Sequence, residues 1–539
     1  MLVETEVLVV GAGPVGLTLA IDLGKRGIKC TLIESKDAPQ FLPKMERANA
    51  RTMEMYRRIG LADGIRKAGL RGDCPMDVFV VTKLNEPPLL RLNYPSVDES
   101  QAECRATNDG SGSLESYQLI SQYSLEPYLK AIAETLPTVT VRYGCELVDF
   151  KQEGERVHAV IKSSQGVEEI RAQYMVGCDG GVSFVRRTLG IKLKGEGGLL
   201  ELRQALFRCD ELFGLLPVGN GPGRGRHYHV ADDKATFLIM QDSTVHWTLH
   251  SVVGSDEEMK QQFEKTVGFP VKYEMLACAP WKQNLLLADR YREGRVFLAG
   301  DAVHLVIPTG GLGMNTGVGD AFDLSWKLAA TLGGWGGDKL LDSYEQERRQ
   351  IGERNIGASR YASLGRRKWR SMYRTNINDN TPEGRQNREN LARVADVEQR
   401  KTNEMIGAEM GYRYVDSPIV MNIPGGPEHL FREYVPTTWP GARLPHVWLN
   451  DGTAVQDHIP LDSFTLLKLG GTSENTTALE NALRAKGTRV AVLEIPDRVA
   501  REIYGFDLIL LRPDMHVAWR GQKLTEDAEV IAAVVTGNE

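Results

Sequence analysis

Three glycines stand at a spacing that suits phosphate chemistry. Gly11-Ala12-Gly13-Pro14-Val15-Gly16 follows the apolar run Thr5–Val10 and opens a helical pattern over Leu17–Arg26. The first glycine permits a tight turn, the second lets backbone approach a pyrophosphate, and the third lets the helix pack on the strand. The helix N-terminus would add free N–H groups and a positive dipole end. Glu34, with Ser35 beside it, ends the next apolar run, Cys30–Ile33. That spacing suits a carboxylate accepting from an adenosine ribose. An acid there repels a 2′-phosphate, so the turn suits FAD or NAD better than NADP. Two further stretches carry acids at strand ends. Gly177-Cys178-Asp179-Gly180-Gly181 leads to Ser183, Arg186 and Arg187. Alone it also reads as a strand–turn–helix with Asp179 or Ser183 at an N-cap. Gly300 to Phe322 holds Asp301, His304, Pro308 and six glycines, Gly311 and Gly313 among them, with Met314 and Asn315. Glycine costs order in a regular element, so this density requires either a loose loop or a close approach to backbone.

Histidines supply candidate bases. His227, Tyr228 and His229 share one expected strand, and His246, Trp247 and His250 another. Alternation puts His227 and His229 on one face and Tyr228 on the other, and likewise His246 and His250 opposite Trp247. Each also reads as an ordinary structural residue. No HxxxH or cysteine partner accompanies them, so no metal site is expected.

The elements that must position these residues follow from the pattern. Strand, glycine turn, helix and strand over residues 5–34 make a βαβ opening unit. Helices are expected at Asn49–Ile59 and Leu125–Thr135, and residues 75–107 read as strand-rich and irregular. Val139–Tyr143, Cys145–Glu153, Val157–Ser163 and Glu168–Ala172 read as an antiparallel meander, with Met175–Cys178 a separate buried strand. The expected fold class is α/β: a Rossmann-like FAD-binding domain with an inserted β-rich substrate domain, then a small C-terminal α/β domain. The discontinuous first domain takes 1–75, 108–182 and 276–365, and the inserted one 76–107 and 183–275. A helical segment spans 366–416, a linker 417–445, and the last domain 446–539. That domain should hold strands at Phe464–Leu469, Arg489–Glu494 and Leu508–Leu511 and a helix at Glu474–Lys486.

Composition excludes several function classes. A net charge of −6 argues against nucleic acid or an anionic membrane surface as the main partner. No apolar run is long enough to span a membrane, and Glu4 and Glu6 precede Val7–Ala20 where a signal peptide would carry basic residues. Seven scattered cysteines with no CxxC fit a reducing, cytoplasmic setting.

The three motifs, in this order and spacing, resemble those of the FAD-dependent aromatic hydroxylases, the single-component flavoprotein monooxygenases. Gly11–Gly16 resembles the ADP-binding fingerprint, and Asp179-Gly180 the second motif, which serves both FAD and nicotinamide. Gly300-Asp301-Ala302-Val303-His304 through Asn315 resembles the third, whose acid meets the ribityl chain. Val303 departs from the family's usual alanine. Arg47 with Arg51-Thr52-Met53-Glu54, Gln122, and Trp281 ahead of Ala288-Asp289-Arg290 extend the likeness over most of 1–365. Leu511 to Gly521 resembles the end of the phenol-hydroxylase branch, which implies a thioredoxin-like last domain. No cysteine follows Cys278, so no dithiol function is expected there.

The resemblance implies that NAD(P)H reduces FAD and that the reduced flavin captures O2. A flavin hydroperoxide would then hydroxylate a small phenol. It implies cofactor contacts from Gly11, Gly13, Pro14, Val15, Gly16, Glu34, Ser35, Arg47, Gln122, Asp179, Arg186, Asp301, Pro308, Gly311, Gly313, Met314 and Asn315. Catalytic candidates are Tyr228, His229, His250 and Pro308, whereas His304 should brace the loop. A homodimer is compatible with the pattern. Epoxidation, Baeyer–Villiger-type insertion and flavin binding without turnover remain as alternatives.

Overall fold

The computed structural model describes residues 2–41 and 43–539. Its centre is an eight-stranded sheet. The path runs Arg292–Glu293, Val296–Leu298, Gly166–Gly177, Leu2–Val10, Cys30–Ile33, Val139–Arg142, with Glu146–Glu153 and Arg156–Ser163 attached at Gly166–Gly177. Leu2–Val10 lies between parallel neighbours, Gly166–Gly177 and Cys30–Ile33. The helix Pro14–Lys25 packs against it, and Val7, Leu8 and Val9 are fully buried in an unbroken apolar run.

Two expectations change here. Val139–Arg142 pairs parallel to Cys30–Ile33 and so leaves the expected meander. Glu168–Ala172 and Met175–Cys178 are not two strands, because Gly166–Gly177 is continuous. Its first half closes an antiparallel hairpin with Arg156–Ser163, and its second half enters the core beside Leu2–Val10.

The second sheet has seven strands, in the order Glu274–Lys282, Glu201–Arg208, His246–Ser251, Phe237–Met240, His227–Val230, Val78–Val81, Leu90–Leu92. Glu274–Lys282 crosses the boundary expected at 275/276, because its pairing with Glu201–Arg208 holds it in this sheet. One face packs on the helix Asp256–Val267, which buries Met259, Phe263 and Val267 at helical spacing. Phe79, Phe207, Tyr228 and Trp247 complete that core. The strand-rich reading of 75–107 misses the helix Val97–Ala106, which opens on a capping box between Ser96 and Glu99.

The helix Asp338–Arg370 packs along Pro382–Asn403. The last unit orders its strands Val490–Ile495, Phe464–Leu469, Leu508–Leu511, Val517–Gly521. The first pair is parallel and the others antiparallel, and helices Thr477–Ala485, Arg498–Tyr504 and Ala528–Val535 complete it. The fourth strand and the last two helices were not expected from sequence. Among the described residues, no helix is long and apolar enough to cross a membrane.

Candidate functional site

The first glycine turn is closed by backbone. Gly11 N–H donates to Ile33 O at 2.8 Å, and Cys178 N–H to Val10 O at 2.7 Å. A Cβ on Gly16 would lie 2.0 Å from Gly11 O, and one on Gly11 (φ +105°) would lie 2.5 Å from Cys178 O. A Cβ on Gly13 would meet only Glu126 Oε1, at 4.0 Å. The outer glycines are therefore required by packing, while the middle one faces open space, the side from which a pyrophosphate would approach. The helix Pro14–Lys25 starts with proline, and no side chain caps it. Glu34 is aimed back at the turn: Oε2 accepts the Ala12 N–H at 2.9 Å, and Oε1 accepts the Lys36 N–H at 3.0 Å and the Ser35 hydroxyl at 3.1 Å. Oε2 keeps a further lone pair for a ribose hydroxyl.

The second and third motifs meet this turn. Asp179 Oδ2 accepts the Val185 N–H at 3.0 Å, while the buried Oδ1 has no partner among the described residues. Arg186, expected at the cofactor, is instead a buried brace: it donates to Ala302 O and Gly181 O, each at 3.0 Å. The Val15 side chain packs inward. A Cβ on Gly300 would come within 3.0 Å of its Cγ2, and one on Gly317 within 2.5 Å. Asp301 and Pro308 are exposed. Asp301 nevertheless sits deep among protein atoms, and this crowding pushes its carboxyl up. His304 Nε2 lies 2.8 Å from Asp320 Oδ2, which also accepts the Gly300 N–H at 3.0 Å. Arg348 Nε donates to Asp320 Oδ1 at 2.8 Å. Burial opposes the Asp320 charge, but His304 and Arg348 outweigh it and hold the carboxyl below its usual range.

The loop between is clipped to the strand Arg47–Ala48. Asn315 Oδ1 accepts the Asn49 N–H at 2.9 Å, and its amide donates to Arg47 O at 3.1 Å and Gly311 O at 2.6 Å. Arg47 donates to Glu409 Oε1 at 2.7 Å and Gly310 O at 3.4 Å. Gly313 and Met314 begin the helix Gly313–Leu332, which no side chain caps. The Gln122 amide is half engaged within the protein: Oε1 accepts the Lys44 N–H at 3.2 Å and Nε2 donates to Glu126 Oε1 at 2.5 Å.

A second cluster lies on the sheet face opposite the Phe79–Trp247 core. His227 Nε2 lies 3.0 Å and 3.1 Å from the two Glu46 oxygens, and Arg226 donates to the same carboxylate. His229 Nε2 is 3.0 Å from Gln399 Nε2. The His250 ring stacks on Phe237 at 4.4 Å and meets the edge of Trp281 at 5.8 Å. Burial, followed by nearby cations, holds these imidazoles neutral: His227 falls to about 4, His250 to about 3, and His229 also falls well below 6.5. Burial opposes the Glu46 charge, but Arg226 and His227 pull its carboxyl well below the usual range.

Tyr228 does not join this cluster. Its ring stacks on Phe79 at 5.4 Å in the opposite core, and its hydroxyl is satisfied by Gly223 O and the Gly225 N–H. Strand alternation forces that side once His227 and His229 face the other. Glu46, Arg226, Gln399 and Glu409 were not singled out from sequence. Glu46 and Arg226 each immediately precede a strand, 180 residues apart, while Gln399 and Glu409 lie on the helices Pro382–Asn403 and Ile406–Met410, and only the fold unites them.

The cradle fits FAD. Gly13 is open, Glu34 is aimed at the turn, Asp179 Oδ1 has no partner among the described residues, and Asp301 and Pro308 are exposed, so room and free acceptors remain for that group. Comparison with known proteins agrees. Residues 4–359 match the model of a FAD binding domain, and residues 437–537 that of the aromatic-ring hydroxylase C-terminal region. The chain is 32% identical to the FAD-dependent monooxygenase apdD of Emericella nidulans, over 98% of this chain and 90% of that protein. It is 31% identical to aklavinone 12-hydroxylase RdmE of Streptomyces purpurascens, over 97% of each. Among solved structures, RebC with bound 7-carboxy-K252c superposes with a TM-score of 0.91 at 30% identity, over the whole of both chains. Aklavinone-11 hydroxylase with FAD and aklavinone superposes at 0.83 and 28% identity, over 99% of each. From its glycine turn to its C-terminal sheet, the chain belongs to the FAD-dependent aromatic-ring hydroxylases, a family of flavoprotein monooxygenases.

Proposed function

We propose that this protein hydroxylates a polycyclic phenol, of the kind polyketide pathways make, using NAD(P)H and O2. The observation that carries this reading is the Glu46–His227–Arg226 cluster, one residue along the chain from Arg47, which holds the Gly310 loop. When bound, FAD supplies the two-electron reduction by NAD(P)H and the activation of O2. This chain's residues then have to orient the phenol, exclude water and manage its proton. Glu46 accepts at His227 Nε2, which assigns the proton to Nε2 and leaves Nδ1 as an acceptor. Among the described residues, the buried Nδ1 has no partner. A phenol donating to Nδ1 shifts electron density into its ring, where attack by electrophilic oxygen needs it. Arg226 favours the developing phenolate, and Glu46 the developing imidazolium. Phe237 and Trp281, both partly exposed, offer aromatic surface for fused rings, which supports a larger substrate than a simple phenol. Relatives named for aklavinone and tetracenomycin chemistry favour the same substrate class.

The test is turnover. FAD-loaded protein is given NADH or NADPH with a panel of hydroxylated naphthalenes and anthraquinones. Faster NAD(P)H oxidation, with a product heavier by one oxygen, is expected for at least one. A flavoprotein that transfers oxygen to none of them overturns the reading.

A further inference from the structure

The helix Asp338–Arg370 brings another guanidinium to the histidine face. Arg366 lies over the Phe237 ring, 5.0 Å from its centroid, on the residue that stacks with His250. Its charge acts on His227, His229 and His250 and is itself answered only at long range by Glu46. Among the described residues, Arg366 donates no hydrogen bond and has no carboxylate within 4.0 Å, and its Nε is buried without a partner. The neighbouring cations are all engaged. Arg226 has Glu46, Arg47 has Glu409, and Arg370 donates to Thr236 O at 3.0 Å. Glu46 is already shared by Arg226 and His227 and cannot serve a third cation closely. Among the described residues, Arg366 is therefore the guanidinium of this face left with neither a carboxylate nor a hydrogen bond. Arg366 is partly exposed, so its guanidinium is open to a ligand, and its planar fork matches a carboxylate bidentately.

We propose that the aromatic ligand of this face carries a carboxylate, and that Arg366 is the residue that binds it. This rests on the histidine face being the substrate site, as argued above. Arg366 fixes which end of the ring system enters, leaving the phenol at His227 and the acid at the long helix.

The test reads binding without turnover. Rhein and a hydroxynaphthoate are titrated against FAD-loaded protein alongside their methyl esters, which keep the rings and phenols but lose the charge. Flavin absorbance and tryptophan fluorescence report the Kd. The acids should bind more tightly than the esters by on the order of ten- to a hundredfold, the effect of one charge-assisted pair. R366Q should abolish that preference with ester affinity retained, and R366K should restore part of it. An unchanged melting temperature in both variants checks folding. NADPH affinity should be the same in R366Q as in wild type, which separates a substrate carboxylate from a cofactor phosphate. Equal binding of acid and ester, binding of neither, a preference that survives R366Q, or a loss confined to NADPH overturns the proposal. Acid preference without oxygen transfer would instead refute the hydroxylase reading and leave the carboxylate site standing.

Discussion

At the residue scale, the chemistry turns on His227 and its carboxylate. Glu46→Gln keeps the shape of the pair but removes the charge that stabilises a protonated imidazole and fixes its tautomer. Loss of one properly oriented base costs about 10²- to 10⁴-fold. The expected outcome is a fall of that order in the oxygen-transfer rate, with FAD content unchanged; a wild-type rate would remove the pair from the mechanism. The pH dependence has a definite sign. His227 in the folded protein sits near 4, against 6.5 when free. Between those values the unfolded chain binds more protons, so stability falls as the pH drops through this window and is fully present above 6.5. His227 also remains an acceptor down to about pH 5. The acid limb of kcat/KM should therefore lie well below 6.5, and a limb centred at 6.5 would exclude this histidine. Much of the cofactor cradle was legible because glycines and an acid at fixed spacing are local signals. Glu46, Gln399 and Arg366 were not. A lone glutamate before an arginine, or an arginine on a charged helix, looks like any solvated residue until a distant strand packs against it.

At the element scale, the glycine turn separates what folding needs from what binding needs. A methyl at position 16 collides with Gly11 O, whereas a methyl at position 13 meets nothing closer than 4.0 Å. Gly16→Ala should therefore destabilise the apoprotein by several kcal/mol, because backbone cannot yield to a contact that short. Gly13→Ala should leave the apoprotein's melting temperature near wild type and weaken FAD retention. Melting curves and flavin content of the two variants decide between them. Equal loss of stability in both would mean that the turn is structural throughout. Elements with a local period were readable in the same way. The run Thr5–Val10 and the helix Asn49–Ile59 needed only burial and an Asn49 cap. The helix Val97–Ala106 was missed although Ser96-x-x-Glu99 announces it, because prolines nearby and a mostly exposed surface hide its period. Val139–Arg142 was legible as a strand but not its parallel partner, which register alone decides.

At the scale of the whole molecule, a buried ion network joins the C-terminal unit to the flavin motif. Arg512, fully buried, reaches Glu347 Oε1 at 2.5 Å, Asp514 Oδ2 at 2.5 Å and Asp323 Oδ1 at 3.2 Å. Lys327 pairs with Glu347 at 2.6 Å and Asp323 at 2.7 Å. Asp323 and Glu347 lie on the two helices that also carry Asp320 and Arg348, which hold Gly300 and His304. The C-terminal sheet thus supplies the cation that neutralises the back of the flavin-binding helices. This role needs no thiols and fits a unit whose β-α-β-α-β-β-α order supports the thioredoxin-like reading. Arg512→Met would leave three buried carboxylates facing one lysine. Breaking a buried pair in this way costs about 3–5 kcal/mol, since the remaining charges lose their counterion without regaining water. The variant should melt well below wild type and release FAD more readily, because strain at Asp323 and Glu347 passes directly to Asp320 and Arg348. Arg498→Ala, which breaks an exposed i,i+4 pair in the same unit, should change neither. If Arg512→Met retained both the wild-type melting temperature and its flavin, the C-terminal unit would be an independent appendage, and the cofactor site would be stable without it.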